Sequence, residues 1–289
     1  AYLSTALHAV GTIALGAGIF LTGQIFNLQE HWPSGVMLWA LGALLGWLLL
    51  RDWPHAGLFA LLGPAWLISE WADATQWYAG SDQAPSVFVL ALAITYFSCI
   101  TETRRDLTAK ALLWIGGICL LPAYLITTFI GGEAHGTHQN WLPRPYSILG
   151  WAAALLLPLA FSWWMRKRID TATLTSLAWC LAVFLFPFGR DYPPRPHPML
   201  HGLAAFLVGL IGAIGLIVWG MREHIKSRVN MGMALLVVVI TIFYFSGFMD
   251  KLGRSASLML FGVLFLIGGY YAEVTRKRLI ARLNREVTP

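Results

Sequence analysis

Long apolar runs, each closed by a short polar stretch, repeat along the whole chain. Ten of them approach the ~20 residues a membrane-crossing helix needs. They lie at roughly 4–26, 35–50, 57–72, 85–101, 111–131, 147–165, 173–188, 200–221, 231–249 and 256–273. The second, third and seventh are short, and the seventh runs into Pro187, which removes a backbone donor and favours a break. This pattern predicts an all-α, polytopic transmembrane helix bundle of about ten spans. No polar stretch exceeds about fifteen residues, so residues 1–289 read as a single transmembrane domain. Five runs fall in each of the halves 1–140 and 145–289. Five is odd, so equal halves would be oppositely oriented, as in inverted-repeat transporters, although no motif is shared between them.

Composition agrees. The chain is 57% hydrophobic and 12% charged, about half the ~25% charge of a soluble domain, with a mean hydropathy of +0.65. Cys99, Cys119 and Cys180 all lie inside apolar runs and form no CxxC pair, so neither a disulfide framework nor a thiolate metal site is expected. No Met opens the chain, and nothing resembles a signal-peptide cleavage site. The reading is a trimmed chain, or one whose native start is not Ala1.

Charge adds orientation. Taking every second connector, beginning at Arg51, collects Arg104, Arg105, Lys110, Arg166, Lys167, Arg168, Arg222, Lys226, Arg228, Arg276, Lys277, Arg278, Arg282 and Arg285, fifteen of the twenty Lys and Arg. The other connectors hold Arg144, Arg190, Arg195, Lys251 and Arg254. Such alternation is the positive-inside pattern, and it predicts that both termini are cytoplasmic. The net charge of +6 follows from that bias, so no nucleic-acid partner is expected.

Polar chemistry collects at the opposite, outer ends. Gln24, Asn27 and His31 are spaced i, i+3, i+7, which on one helix would share a face. An unpaired amide in hydrocarbon costs several kcal/mol, so that face is expected to look into protein or a wet cavity. Glu30 flanks it, and Glu70 lies just inside the end of the third run. An ionisable group inside a span is a functional candidate by default. The loops at 27–34, 73–84, 132–146 and 189–199 would rim a polar vestibule. There Arg144 and Arg190 are planar forks suited to anions, and Asp191 sits beside Arg190.

Two pairs of histidines have metal-ligand spacing: His135 with His138, and His197 with His201. Prolines around His197 argue against a helix there, and interfacial histidines are common, so the metal reading is the weaker one. Glu133, His135 and His138 could serve acid–base chemistry, but no nucleophile motif such as G-x-S-x-G accompanies them. No cofactor is expected.

The string GQIFNL at 23–28, followed by LWALGAL at 38–44 and Leu50–Arg51, resembles a family of bacterial predicted membrane proteins, domain of unknown function twenty-one fifty-seven. Phe26 stands where the family pattern has Tyr, and Asn27 where it has His. The C-terminal part is similar too, at Asn230, Gly232, Phe243, Asp250, Arg254 and the basic tail from Arg276 to Arg278. The resemblance implies a polytopic inner-membrane protein of no assigned activity, with further hydrophobic helices upstream of residue 1.

The expectation is therefore a multi-pass bacterial inner-membrane protein. Its first functional reading is transport or binding of a small or amphipathic envelope substrate at the outer face. Gln24 and Asn27 would give hydrogen bonds, with Glu30 and His31 beside them. Glu70 would be the proton-linked carboxylate, with Arg144, Arg190 and Asp191 as further contacts. The alternatives are an outer-face enzyme using Glu133, His135 and His138, and an accessory subunit of a membrane complex. The partners expected are membrane lipids, a small-molecule or lipid substrate, and a further copy or complex partner.

Overall fold

The structure is a computed structural model. It describes residues 2–26, 31–75, 84–100, 106–129, 144–167, 171–186 and 198–247, together with 259, 262, 263, 265–271 and 273–278 of the last stretch. The described elements are α1 (Tyr2–Ile25), α2 (Pro33–Leu50), α3 (Trp53–Ala74), α4 (Ala84–Ser98), α5 (Leu107–Phe129), α6 (Arg144–Arg166), α7 (Thr171–Leu185), α8 (Pro198–Arg222) and α9 (Lys226–Gly247). Residues 265–271 and 273–278 are helical as well. Each of the ten apolar runs thus contains helix, and no strand occurs among the described residues. The chain is a polytopic helical membrane protein.

Among the described residues, six helices are both long and apolar enough to cross a bilayer: α1, α2, α5, α6, α8 and α9. The third run is longer than its apolar core suggested, because α3 has 22 residues, with Asp52 as its N-cap and Pro at its first turn. The fourth run is shorter, since α4 stops at Ser98 after 15 residues. At 1.5 Å per residue that is about 22 Å, less than the ~30 Å hydrocarbon layer. Most of its residues are buried, as expected of a helix that is apolar all round.

Two compact units divide the chain: residues 1–120 with 137–168, and residues 121–136 with 169–289. In the first, α4 is the core. Phe88, Leu92, Tyr96 and Cys99 pack with Ala60 of α3, Leu112 of α5, and Ala154 and Met165 of α6. Gly116 lets α5 meet α4 at backbone distance, since a Cβ there would lie 2.5 Å from the Ala93 carbonyl oxygen. Helices α1, α2 and α3 run up, down and up. The α2–α3 turn is two residues: Arg51 adopts a left-handed conformation (φ 51°) and Asp52 then caps α3.

In the second unit, the glycines of α8 receive aromatic groups. A Cβ on Gly212 would lie 2.2 Å from the Trp179 ring, and one on Gly209 would lie 2.5 Å from the Tyr124 hydroxyl. Trp179 stacks on Tyr124 at 5.8 Å and donates its indole N–H to the Val208 carbonyl at 2.8 Å. Close backbone approach of α8 and α9 occurs at Gly232, where a Cβ would lie 2.9 Å from the Ala213 carbonyl oxygen, and at Gly220 of α8, where it would lie 2.8 Å from the Val229 backbone nitrogen.

Candidate functional site

Helix α1 ends at Ile25, with Phe26 N–H still reaching the Thr22 carbonyl. His31 does not continue it. Its carbonyl accepts from Ser34 N–H at 3.0 Å, and Pro33 opens α2. The expected common face of Gln24, Asn27 and His31 is therefore corrected: the chain leaves the helix before His31, and the 3.6-residue period no longer applies. Gln24 lies on the last turn of α1 and is exposed on the outside of the structure. Asn27 and Glu30 lie outside the described residues.

His31 instead meets the end of α3. Its Nε2 is 2.7 Å from Glu70 Oε2 and its Nδ1 is 3.0 Å from Asp73 Oδ2. Glu70 and Asp73 are three residues apart on a helix, so both carboxylates face the same side. Trp66, one turn earlier, donates its indole N–H to Glu70 Oε1 at 2.9 Å and leaves Oε2 for the imidazole. With an acceptor at each ring nitrogen, only the imidazolium can donate to both. The hydrogen bond to Glu70 holds the His31 pKa above its ordinary value of 6.5; burial opposes this, and the negative charges of Glu70 and Asp73 reinforce it. The cation also sits at the C-terminal end of α3, the end its dipole favours. All three side chains remain partly open to water, at 45%, 32% and 40% exposure.

A second histidine lies at the other end of the same three helices and has the opposite environment. His55 is 2% exposed. Its Nδ1 is 2.6 Å from Asp52 Oδ1, and its Nε2 is 2.8 Å from the Thr12 hydroxyl of α1. Gly46 makes room for the ring: a Cβ there would lie 2.2 Å from His55 Cδ2. Asp52 does double service, because the same oxygen accepts the His55 backbone N–H that opens α3.

The second unit has one buried cation among its described residues. Arg228 is 0% exposed and forms an ion pair with Glu223. Its guanidinium lies 4.1 Å from the centre of the Trp219 ring, and Trp219 donates to the other Glu223 oxygen at 2.7 Å. The sequence counted Arg228 among the charges facing the cytoplasm; its guanidinium is spent inside the protein.

Of the other candidates, Arg144 opens α6 and is exposed, and among the described residues no hydrogen bond joins it to the His31 group. Arg190, Asp191, Glu133, His135, His138 and His197 lie outside the described residues. His201 falls in the first turn of α8, but its side chain is outside them too. No three His, Cys, Asp or Glu side chains converge as metal ligands among the described residues. In the His31 group the carboxylates lie on different sides of one ring, so their oxygens do not meet at a point. Sequence reasoning had His31 and Glu70 as site residues and placed Asp73 only on the rim loop 73–84, although its position one turn beyond Glu70 was the signal that joins it to them. It passed over Asp52, His55 and Thr12 altogether. An Asp at a helix cap with His three residues on was the available clue.

Residues 1–56 match a family model described as "Predicted membrane protein (DUF2157)". The matched stretch holds Thr12, His31, Asp52 and His55, and ends before Glu70 and Asp73. The likeness noted between Asn230 and Arg278 lies beyond it. No curated protein and no solved structure matches the chain.

Proposed function

We propose that this protein binds, and carries across the bacterial inner membrane, a small or amphipathic solute of the cell envelope. The solute enters at the outer end of α1–α3, and Glu70 is the proton-linked group. The observation that carries the reading is the Glu70–His31–Asp73 set. Exposed ion pairs contribute little to stability, about 0–1 kcal/mol, so two carboxylates and an imidazole at the mouth of a span are more acid–base apparatus than the fold requires. They sit where a proton can pass between outer water and a group on a membrane helix. The positive-inside bias supports an outward-facing location for this end.

The test is solute-driven proton movement in proteoliposomes containing a pH-sensitive dye, run against a panel of amino acids, sugar phosphates and lysophospholipids. The expected result is a proton flux with at least one class that Glu70→Gln abolishes. Flux that persists unchanged in Glu70→Gln removes the role given to this residue.

A second reading, an accessory subunit of a membrane complex, is favoured by α7. Its 15 described residues reach about 22 Å, against a ~30 Å bilayer core. A lone monomer after extraction in mild detergent counts against it.

A further inference from the structure

Glycine is the usual residue where a helix ends in a left-handed turn, because a side chain there crowds the backbone. Three described residues other than glycine have that conformation. Two of them end helices of the first unit: Arg51 (φ 51°) after α2 and Lys167 (φ 58°) after α6. Each closes its helix in the same way. The Arg51 N–H reaches the Trp47 carbonyl at 2.8 Å, and the Lys167 N–H reaches the Trp163 carbonyl at 2.7 Å. Both residues are exposed. For α6 the helix dipole does not account for the choice, because Arg166 already puts a cation in the last turn.

The two helix ends lie side by side. The Trp47 ring of α2 meets the Trp164 ring of α6 edge-on, with centres 5.2 Å apart. Trp47 precedes Arg51 by four residues and Trp164 precedes Lys167 by three, so the ring contact lies one turn in from both cations. Trp47 also packs on the core shared by α3, α4, α5 and α6. Trp163 and Trp164 are 56% and 41% exposed, and the Lys167 ammonium lies 5.8 Å from the Trp163 ring centre. The adjoining acidic residue, Asp52, has its carboxylate engaged with His55. By the bias of the basic connectors this is the cytoplasmic end, where indole rings sit at headgroup level.

We infer that the inner ends of α2 and α6 form a binding site for an anionic phospholipid, with Arg51 and Lys167 gripping its phosphate and Trp163 and Trp164 flanking the start of its acyl chains.

The chemistry divides between the two kinds of residue. Arginine offers a planar fork to phosphate oxygens, and lysine a compact charge. An indole has an apolar body and a polar N–H, which suits the boundary between headgroup and acyl chain. A free phosphate would use the two cations and leave the exposed rings uncovered. A phospholipid covers both, and an anionic one has the net charge that matches two cations. The site is at the opposite end of α2 and α3 from the His31 group, and it does not depend on the transport reading.

The test is native mass spectrometry of the full chain in mild detergent. It is titrated with phosphatidylglycerol, or with phosphatidylcholine of the same acyl chains, and read as the affinity for the first lipid bound. The native chain should prefer phosphatidylglycerol. Arg51→Gly and Lys167→Gly each remove one charge and put glycine where the backbone favours it, so a lost preference is not a lost fold. Each should weaken phosphatidylglycerol binding about fivefold and the pair about 30-fold, from the worth of one basic residue at an anionic surface. Phosphatidylcholine binding should not change. Arg51→Lys should keep most of the preference. Arg222→Gln with Lys226→Gln removes two exposed cations from the second unit and should leave the preference intact. A double glycine variant that still prefers phosphatidylglycerol overturns the site. So does an equal loss in the Arg222 and Lys226 variant, which would make the preference one of general charge. Calorimetric binding of inorganic phosphate that disappears in the double glycine variant, without any preference for phosphatidylglycerol, overturns the lipid assignment in favour of a soluble anion.

Discussion

The hydroxyl of Tyr96 donates to the Ala60 carbonyl at 3.0 Å, and Ala60 is the residue whose carbonyl Pro64 leaves without its helical partner. Proline has no N–H, so a Pro inside a helix orphans the acceptor four residues earlier. Here a buried side chain from α4 supplies the missing donor, and a defect in α3 becomes a bond between two helices. Tyr96→Phe should lower stability by ~1–3 kcal/mol, the penalty for a buried acceptor left unpaired. In a Pro64→Ala background the new backbone N–H satisfies Ala60, and the same substitution should cost much less. A double-mutant cycle read by unfolding in detergent checks this, and simple additivity would refute it.

The His31 clasp makes stability depend on pH in a stated direction. Its folded pKa is raised above 6.5, so the stability it contributes is fully present below that value. It is lost as pH rises through the folded-state pKa. The melting temperature of the native chain should exceed that of His31→Gln at about pH 6 and converge with it by about pH 9. A gap that widens with rising pH would contradict the assignment.

Glycines of α1 that look alike in sequence should respond oppositely. Gly16→Ala drives a methyl into the Trp39 ring and should cost ~1–3 kcal/mol by overpacking. Gly18→Ala enters open space and should be neutral or stabilise by ~0.5–1 kcal/mol through helix propensity. Paired thermal scans of the two variants decide it.

Thr12→Val keeps the shape of the side chain and removes the hydroxyl that meets His55 Nε2. The buried ring nitrogen then lacks its partner, and a loss of ~1–3 kcal/mol is expected. Unfolding midpoints with and without the substitution provide the measurement. No loss would mean the Thr12 bond does not help hold α1.

Arg228 should not tolerate lysine. Its flat guanidinium stacks on Trp219 while pairing with Glu223, and a lysine ammonium has no planar face to match. Arg228→Met takes the cation from a partly buried Glu223, which keeps the Trp219 indole, and should cost ~1–3 kcal/mol. Adding Glu223→Gln should recover part of that loss. The recovery is read from the double mutant's unfolding curve.

The membrane class, the order of the apolar helices and the bias of basic connectors were all legible in the amino-acid string. Each depends on what a residue is, summed over a window and weighed against lipid or water. A carboxylate at Glu70 is conspicuous in an apolar run whatever surrounds it. Partnership was not legible in this way. His31 finds Glu70 across 39 positions and Thr12 finds His55 across 43, and nothing local to either residue encodes which helices lie side by side. Helical periodicity also misled where the helix stopped: Gln24 and His31 share a face only if α1 continues, and Pro33 starts a new helix instead. Sequence thus determined which segments form apolar helices and which charges flank them. Only the packing of α1, α2 and α3 decided which histidine is clasped in the open and which is buried, because hydrogen bonds and ion pairs act over a few ångströms that chain position does not measure.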